Sequence, residues 1–199
     1  MKELELNIEN QPVYIISPNY NKLDELEYMI SDLKSNPIII FMGGVFKNDK
    51  NFLNFKKLLT ENSYYITSHH DLNYFKKYNL DINKSDNINW IEDQCLYISL
   101  GFMNGSRFFI CFGGVLPTHI DYKNLKSNFD LSIISTIDKD KKIPWHIKYQ
   151  GIFGFIVSNY PENDNIISTY NYSASIGVKN KTVIQEINSV GLPKPIYLE

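Results

Sequence analysis

Residues 37–44 read Pro-Ile-Ile-Ile-Phe-Met-Gly-Gly, and the fold follows from how this stretch is read. Ile38 to Phe41 is a short, wholly apolar run rich in β-branched side chains. It is too short for a helix with a polar face. It suits a strand buried on both faces. Gly43-Gly44 ends it.

The flanks on both sides support a layered α/β arrangement. Before the run, Leu23 to Leu33 places Leu23, Leu26, Met29, Ile30 and Leu33 at helical spacing, with Asn21 as a candidate N-cap. Earlier still, Glu3 to Ile8 alternates and Val13-Tyr14-Ile15-Ile16 is apolar, so both read as strands. After it, Phe52 to Leu59 reads as a second helix and Tyr64 to Thr67 as another buried strand. Strand, helix, strand, helix, strand implies parallel pairing through right-handed crossovers. In such sheets ligands sit at the carboxyl ends of the strands.

Leu72 to Tyr78 reads as helix, Asn79 to Asn89 as a polar surface loop, and Trp90 to Leu100 as a further helix. Phe108 to Phe112 is again an apolar strand, ending at Gly113-Gly114. The polar segment from Pro117 to Lys142 reads as helical or irregular. Phe153–Val157, Ile166–Thr169, Ser173–Val178 and Thr182–Ile187 then form a series of short strands in antiparallel or mixed pairing. No repeat, low-complexity tract or linker interrupts residues 1–199, which read as a single domain.

The 199 residues are 43% hydrophobic, enough for a core without staples. A net charge of −2 provides no basic field for a phosphate backbone, which argues against nucleic acid as a partner. Cys95 and Cys111 make no disulfide framework, so a reducing compartment is the simpler expectation. No apolar run approaches the ~18 residues of a membrane span. A cytoplasmic protein that does not engage membranes is the resulting expectation. Frequent Asn, Lys, Ile and Tyr have A/T-rich codons and fit a cellular, viral or phage source equally.

Five strand ends share a distinctive order. They are Ser17-Pro18-Asn19-Tyr20-Asn21, Gly43-Gly44-Val45-Phe46-Lys47-Asn48-Asp49, Ser68-His69-His70-Asp71, Gly113-Gly114-Val115-Leu116-Pro117 and Ser158-Asn159-Tyr160-Pro161. Over residues 13 to 187 this layout resembles the calcineurin-like metallophosphoesterases, most closely the serine/threonine phosphatase and dinucleoside tetraphosphatase branch. The resemblance implies an α/β fold: a metallophosphoesterase-like αββα sandwich, two mixed sheets flanked by helices.

The resemblance also implies where the family's metal ligands and catalytic groups would fall. The first motif's Asp and His fall at Pro18 and Tyr20. The second motif's bridging Asp falls at Gly44, and its second Asp and Arg at Lys47 and Asn48. The third motif's ligand Asn falls at His69 and its catalytic His at His70. The fourth motif's His falls at Phe112 and the fifth motif's at Asn159. A two-metal site needs several carboxylates or imidazoles within about 2–2.5 Å of each ion. These residues do not supply them, and Lys47 would repel a cation. The expectation is therefore an inactive pseudophosphatase without cofactor or metal, with His70 vestigial and Tyr20 and Phe112 filling the emptied cleft. It would act through another protein or its own copy.

Two rival expectations keep chemistry at the site. One is a non-hydrolysing nucleotide or phosphate sensor using Lys47, Asn48, His69, His70 and Asn159. The other is a phosphoesterase rebuilt around His69-His70-Asp71, although neighbouring residues on a strand point to opposite faces and do not automatically converge. Lys47 and Arg107 are candidate anion attractors, with a solvated charge as the simpler reading. His119 with Asp121 is a weak metal candidate, and His146 beside Trp145 reads as a packed or surface histidine. Asn104-Gly105-Ser106 reads as a turn.

Overall fold

The computed structural model describes residues 2–16, 23–44, 49–68, 71, 90, 93–112, 154–158, 173–176, 182–189 and 196–198. The strands among them are β1 (Lys2–Ile8), β2 (Val13–Ile16), β3 (Ile38–Met42), β4 (Ser63–Ile66), β5 (Cys95–Phe102), β6 (Arg107–Cys111), β7 (Gly154–Ser158), β8 (Ser173–Ile176), β9 (Thr182–Ile187) and β10 (Ile196–Leu198). The helices are α1 (Leu23–Ser31) and α2 (Asp49–Lys56).

Hydrogen bonding runs through all ten strands in the order β10-β9-β2-β3-β4-β5-β6-β7-β8, with β1 also on β5. The step from β4 to β5 is a single residue pair, Ile66 with Cys95. The strands therefore divide there into two mixed sheets. The first is β10-β9-β2-β3-β4, with β2, β3 and β4 parallel and β9 antiparallel to both of its neighbours. The second is β1-β5-β6-β7-β8, with only the β5–β6 step antiparallel.

Alternation along the central strands assigns each face. Tyr14, Ile16, Ile39, Phe41 and Tyr65 pack with Leu23 and Leu26 of α1 and with Phe52 and Phe55 of α2. Val13, Ile15, Ile38, Ile40, Met42 and Ile66 turn the other way and meet Ile98, Leu100 and Ile110 of the second sheet. A one-residue slip in β3 would exchange these two sets. Because both sets are apolar, every residue of β3 is buried.

The helix-side core is aromatic. Phe55 lies edge-on to Phe41 at 5.0 Å and to Tyr65 at 5.5 Å, and Trp90 lies 5.1 Å from Phe52. Burying a ring of this size contributes about 2–3 kcal/mol, which offsets the cost of ordering a helix as short as α2. On the outer face of the second sheet, Tyr97 stacks on Phe109 at 4.6 Å, and both are buried.

Three elements depart from the sequence-based expectation. The helix expected over Trp90 to Leu100 does not extend into Cys95–Phe102, which is strand β5. It pairs along its length with β1 on one side and β6 on the other, and a helix there would leave β1 without its ladder. Helix α2 begins at Asp49 rather than Phe52. Strand β10 extends the first sheet beyond β9, where no strand was expected. The expected elements at 72–78, 117–142 and 166–169 lie outside the described residues, as does Asn21. Both cysteines are buried thiols outside any disulfide. Among the described residues, no helix is long and apolar enough to cross a membrane.

Candidate functional site

The parallel strands β2, β3 and β4 deliver their carboxyl ends to one edge of the first sheet. Two chain reversals meet there, Gly43-Gly44 after β3 and Thr67-Ser68 after β4. What joins them is Asp71, which is completely buried. Its Oδ2 accepts from the Ser68 amide at 2.9 Å, the Ser68 hydroxyl at 2.8 Å and the Tyr65 hydroxyl at 2.9 Å. The Gly44 amide donates to Oδ2 at 3.0 Å and to Oδ1 at 3.2 Å. The Asp71 amide in turn donates to Ser68 Oγ at 3.2 Å.

The reciprocal Ser68–Asp71 bonds are a capping box, in which a Ser and an acidic residue three positions later satisfy each other's backbone amides. Here the acid does more than cap. It reaches across to β3 through Gly44 and to the aromatic core through Tyr65, whose ring is packed among Phe55 and Trp90. The close approach requires glycine at position 43. A Cβ there would lie 2.4 Å from both Ser68 Cβ and Ser68 N, and 2.8 Å from Asp71 Oδ2. Gly44 has φ 102°, a conformation that L side chains rarely adopt.

Burial pushes the Asp71 carboxyl above its ordinary value of 3.8, while the Ser68 and Gly44 amides and the Ser68 and Tyr65 hydroxyls pull it back without cancelling the rise. A carboxyl raised on folding contributes most stability below its unfolded value. That contribution is lost as pH rises through the folded value. The unfolding free energy of the wild type relative to Asp71→Asn should therefore decline as pH rises above 3.8. Urea melts of both proteins across a pH series read this directly. A difference that stays flat or grows with pH would refute the assignment.

Of the nine expected site positions, Gly44 and Phe112 are described. Pro18, Tyr20, Lys47, Asn48, His69, His70 and Asn159 lie outside the described residues. Gly44 is engaged through its backbone to Asp71 and offers no side chain. Phe112 is fully buried in the core between the sheets. A dinuclear centre of the family's kind does not fit these two positions, because neither residue carries a side-chain ligand for a cation. Among the described residues, no group of three or more His, Cys, Asp and Glu could hold a metal.

Arg107 does not belong with this edge. It lies at the start of β6, the end away from Phe112, and pairs with Glu5 at 3.2 Å. Asn104 and Ser106 form a turn after β5, donating to the Ser189 carbonyl at 2.9 and 3.1 Å. Sequence reasoning also missed Tyr65 and Gly43. The available signal was Ser68-x-x-Asp71, a capping pattern following an apolar strand. A separate open cleft of about 460 Å³ lies at the amino end of β2, bordered by Ile8, Pro12, Lys34, Phe102, Met103 and Glu186.

No family model matches the chain, and no curated protein matches it by sequence. Solved structures do match it. The crystal structure of a "putative diadenosine tetraphosphatase" superposes with a TM-score of 0.69, covering 98% of this chain and 97% of that one at 12% identity. This match runs against the expectation of a pseudoenzyme, because a neighbour aligned over nearly its whole length is described as a tetraphosphatase. At 12% identity the likeness establishes architecture, and the chain has the metallophosphoesterase-type fold, with two mixed sheets packed face to face and helices α1 and α2 on the first.

Proposed function

We propose that this chain is a phosphoesterase or phosphoanhydride hydrolase. Its site would lie at the carboxyl ends of β2, β3, β4 and β6, rebuilt around His69, His70 and Asp71 in place of the family's dinuclear ligand set. The observation that carries the proposal is the full-length fold match to a protein described as a tetraphosphatase. Phosphoryl transfer relies mainly on positioning and on cations or donors facing the equatorial oxygens. Lys47 and Asn48, between Gly44 and α2 in the sequence, are the candidate donors, together with His69. His70 is the candidate acid for the leaving group. Asp71 acts here as a fixed internal acceptor, since its carboxylate is turned to Gly44, Tyr65 and Ser68.

The test is hydrolysis of para-nitrophenyl phosphate and diadenosine tetraphosphate, with and without Mn²⁺. Turnover by the wild type that falls on the order of 100-fold or more in His70→Ala is the expected result, as loss of a general acid gives. Absence of turnover under every condition, or saturable binding of substrate without turnover, overturns the reading.

A further inference from the structure

We propose that Asp71 is a positioning residue for this site, holding the β3 and β4 strand-end turns in fixed register by a protein carboxylate. The inference rests on the functional reading above. Here the second-motif position is Gly44, and what crosses from it to the third-motif segment is its own amide, donating to Asp71 at 3.0 Å. The carboxylate thus ties backbone to backbone, with the Ser68 amide at 2.9 Å on the other side.

Three features make the tie stiff. Asp71 is completely buried, so water does not compete for its oxygens. Gly43 lets Ser68 come closer than any side chain would permit. Tyr65, which is 1% exposed and packed on Phe55 and Trp90, anchors the carboxylate to the rigid aromatic core through its hydroxyl. The turns at Gly44 and Ser68 therefore move together or not at all. Catalytic geometry is sensitive to such registration, since a misplacement of about 1 Å can cost on the order of 100-fold in rate.

The experiment compares wild type, Asp71→Asn, Tyr65→Phe and the remote core variant Ile98→Val in para-nitrophenyl phosphate hydrolysis, separating kcat from KM. Measurements are made below each variant's unfolding transition. Asp71→Asn is expected to lose kcat on the order of 100-fold, Tyr65→Phe to lose less in the same direction, and Ile98→Val to keep wild-type kcat. A merely structural role would lower Tm in all three variants and leave kcat of the folded protein alone. A folded Asp71→Asn with wild-type kcat overturns the inference while leaving the functional reading intact. If Asp71→Asn does not fold, Tyr65→Phe decides, and wild-type kcat there overturns it. A wild type without turnover overturns both.

Discussion

Replacing Asp71 with alanine should destabilise the protein by about 3–5 kcal/mol, a large part of the ~5–15 kcal/mol that holds a domain together. The substitution removes a buried acceptor from the Gly44 amide, the Ser68 amide and the Tyr65 hydroxyl at once. Each buried donor left unsatisfied costs about 1–3 kcal/mol, and a water entering the vacated space would recover part of the total. Asp71→Asn should be milder, at about 1 kcal/mol. Its amide oxygen can occupy the Oδ2 position, which carries the Tyr65 and Ser68 bonds. The amide nitrogen then stands at the Oδ1 position opposite the Gly44 amide, 3.2 Å away, donor against donor, so the tie to β3 is what the substitution loosens. Urea denaturation of the two variants separates the cases. Equal and small effects would show that Asp71 is not the tie described.

Gly43→Ala is expected to cost about 3 kcal/mol, at the upper end for overpacked sites. The added methyl would meet Ser68 Cβ and Ser68 N at 2.4 Å, where one contact is main chain and cannot rotate away. Relief requires β3 and β4 to separate at their carboxyl ends, which breaks the Gly44–Asp71 bonds as well. The control is Gly105→Ala. A Cβ at Gly105 meets nothing within 4 Å, so its cost comes from φ 87° alone. That strain is about 1 kcal/mol. Thermal melts in which the two variants behave alike would remove the packing argument for Gly43.

The sequence carried much of the first sheet because its strands are unusually plain. Val13–Ile16 and Ile38–Met42 are apolar at every position, with helical spacing between them. Strand β5 was misread for the same physical reason. Cys95, Tyr97, Ile98 and Leu100 are all buried, so both faces are covered and no period of two survives in the pattern. Only the partner strands β1 and β6 decide that segment, and one of them lies at the far end of the chain. At the site, the fold resemblance pointed to the strand ends, and Asp71 entered there as part of a rebuilt catalytic set rather than as a tie between two turns. A short-range Ser-x-x-Asp pattern predicts a cap. It does not predict that the same carboxylate will meet Gly44, because that contact spans 27 residues and exists only once β3 and β4 are paired. The Lys34–Glu186 ion pair, at 2.7 Å across 152 residues, was equally invisible.

The strand order also has a consequence for how the chain is made. Of the described strands, β1 and β2 leave the ribosome first, yet β1 pairs with β5 and β2 takes β9 as one neighbour, with Val13 opposite Ile187. At roughly 5–20 residues per second, β2 waits on the order of ten seconds or more for that partner to be synthesised. During this interval one hydrogen-bonding edge of an entirely apolar strand is open to any extended chain nearby. Efficient production of this protein thus depends on what shelters β2 before β9 arrives, and cold or slowed translation should raise the fraction that aggregates.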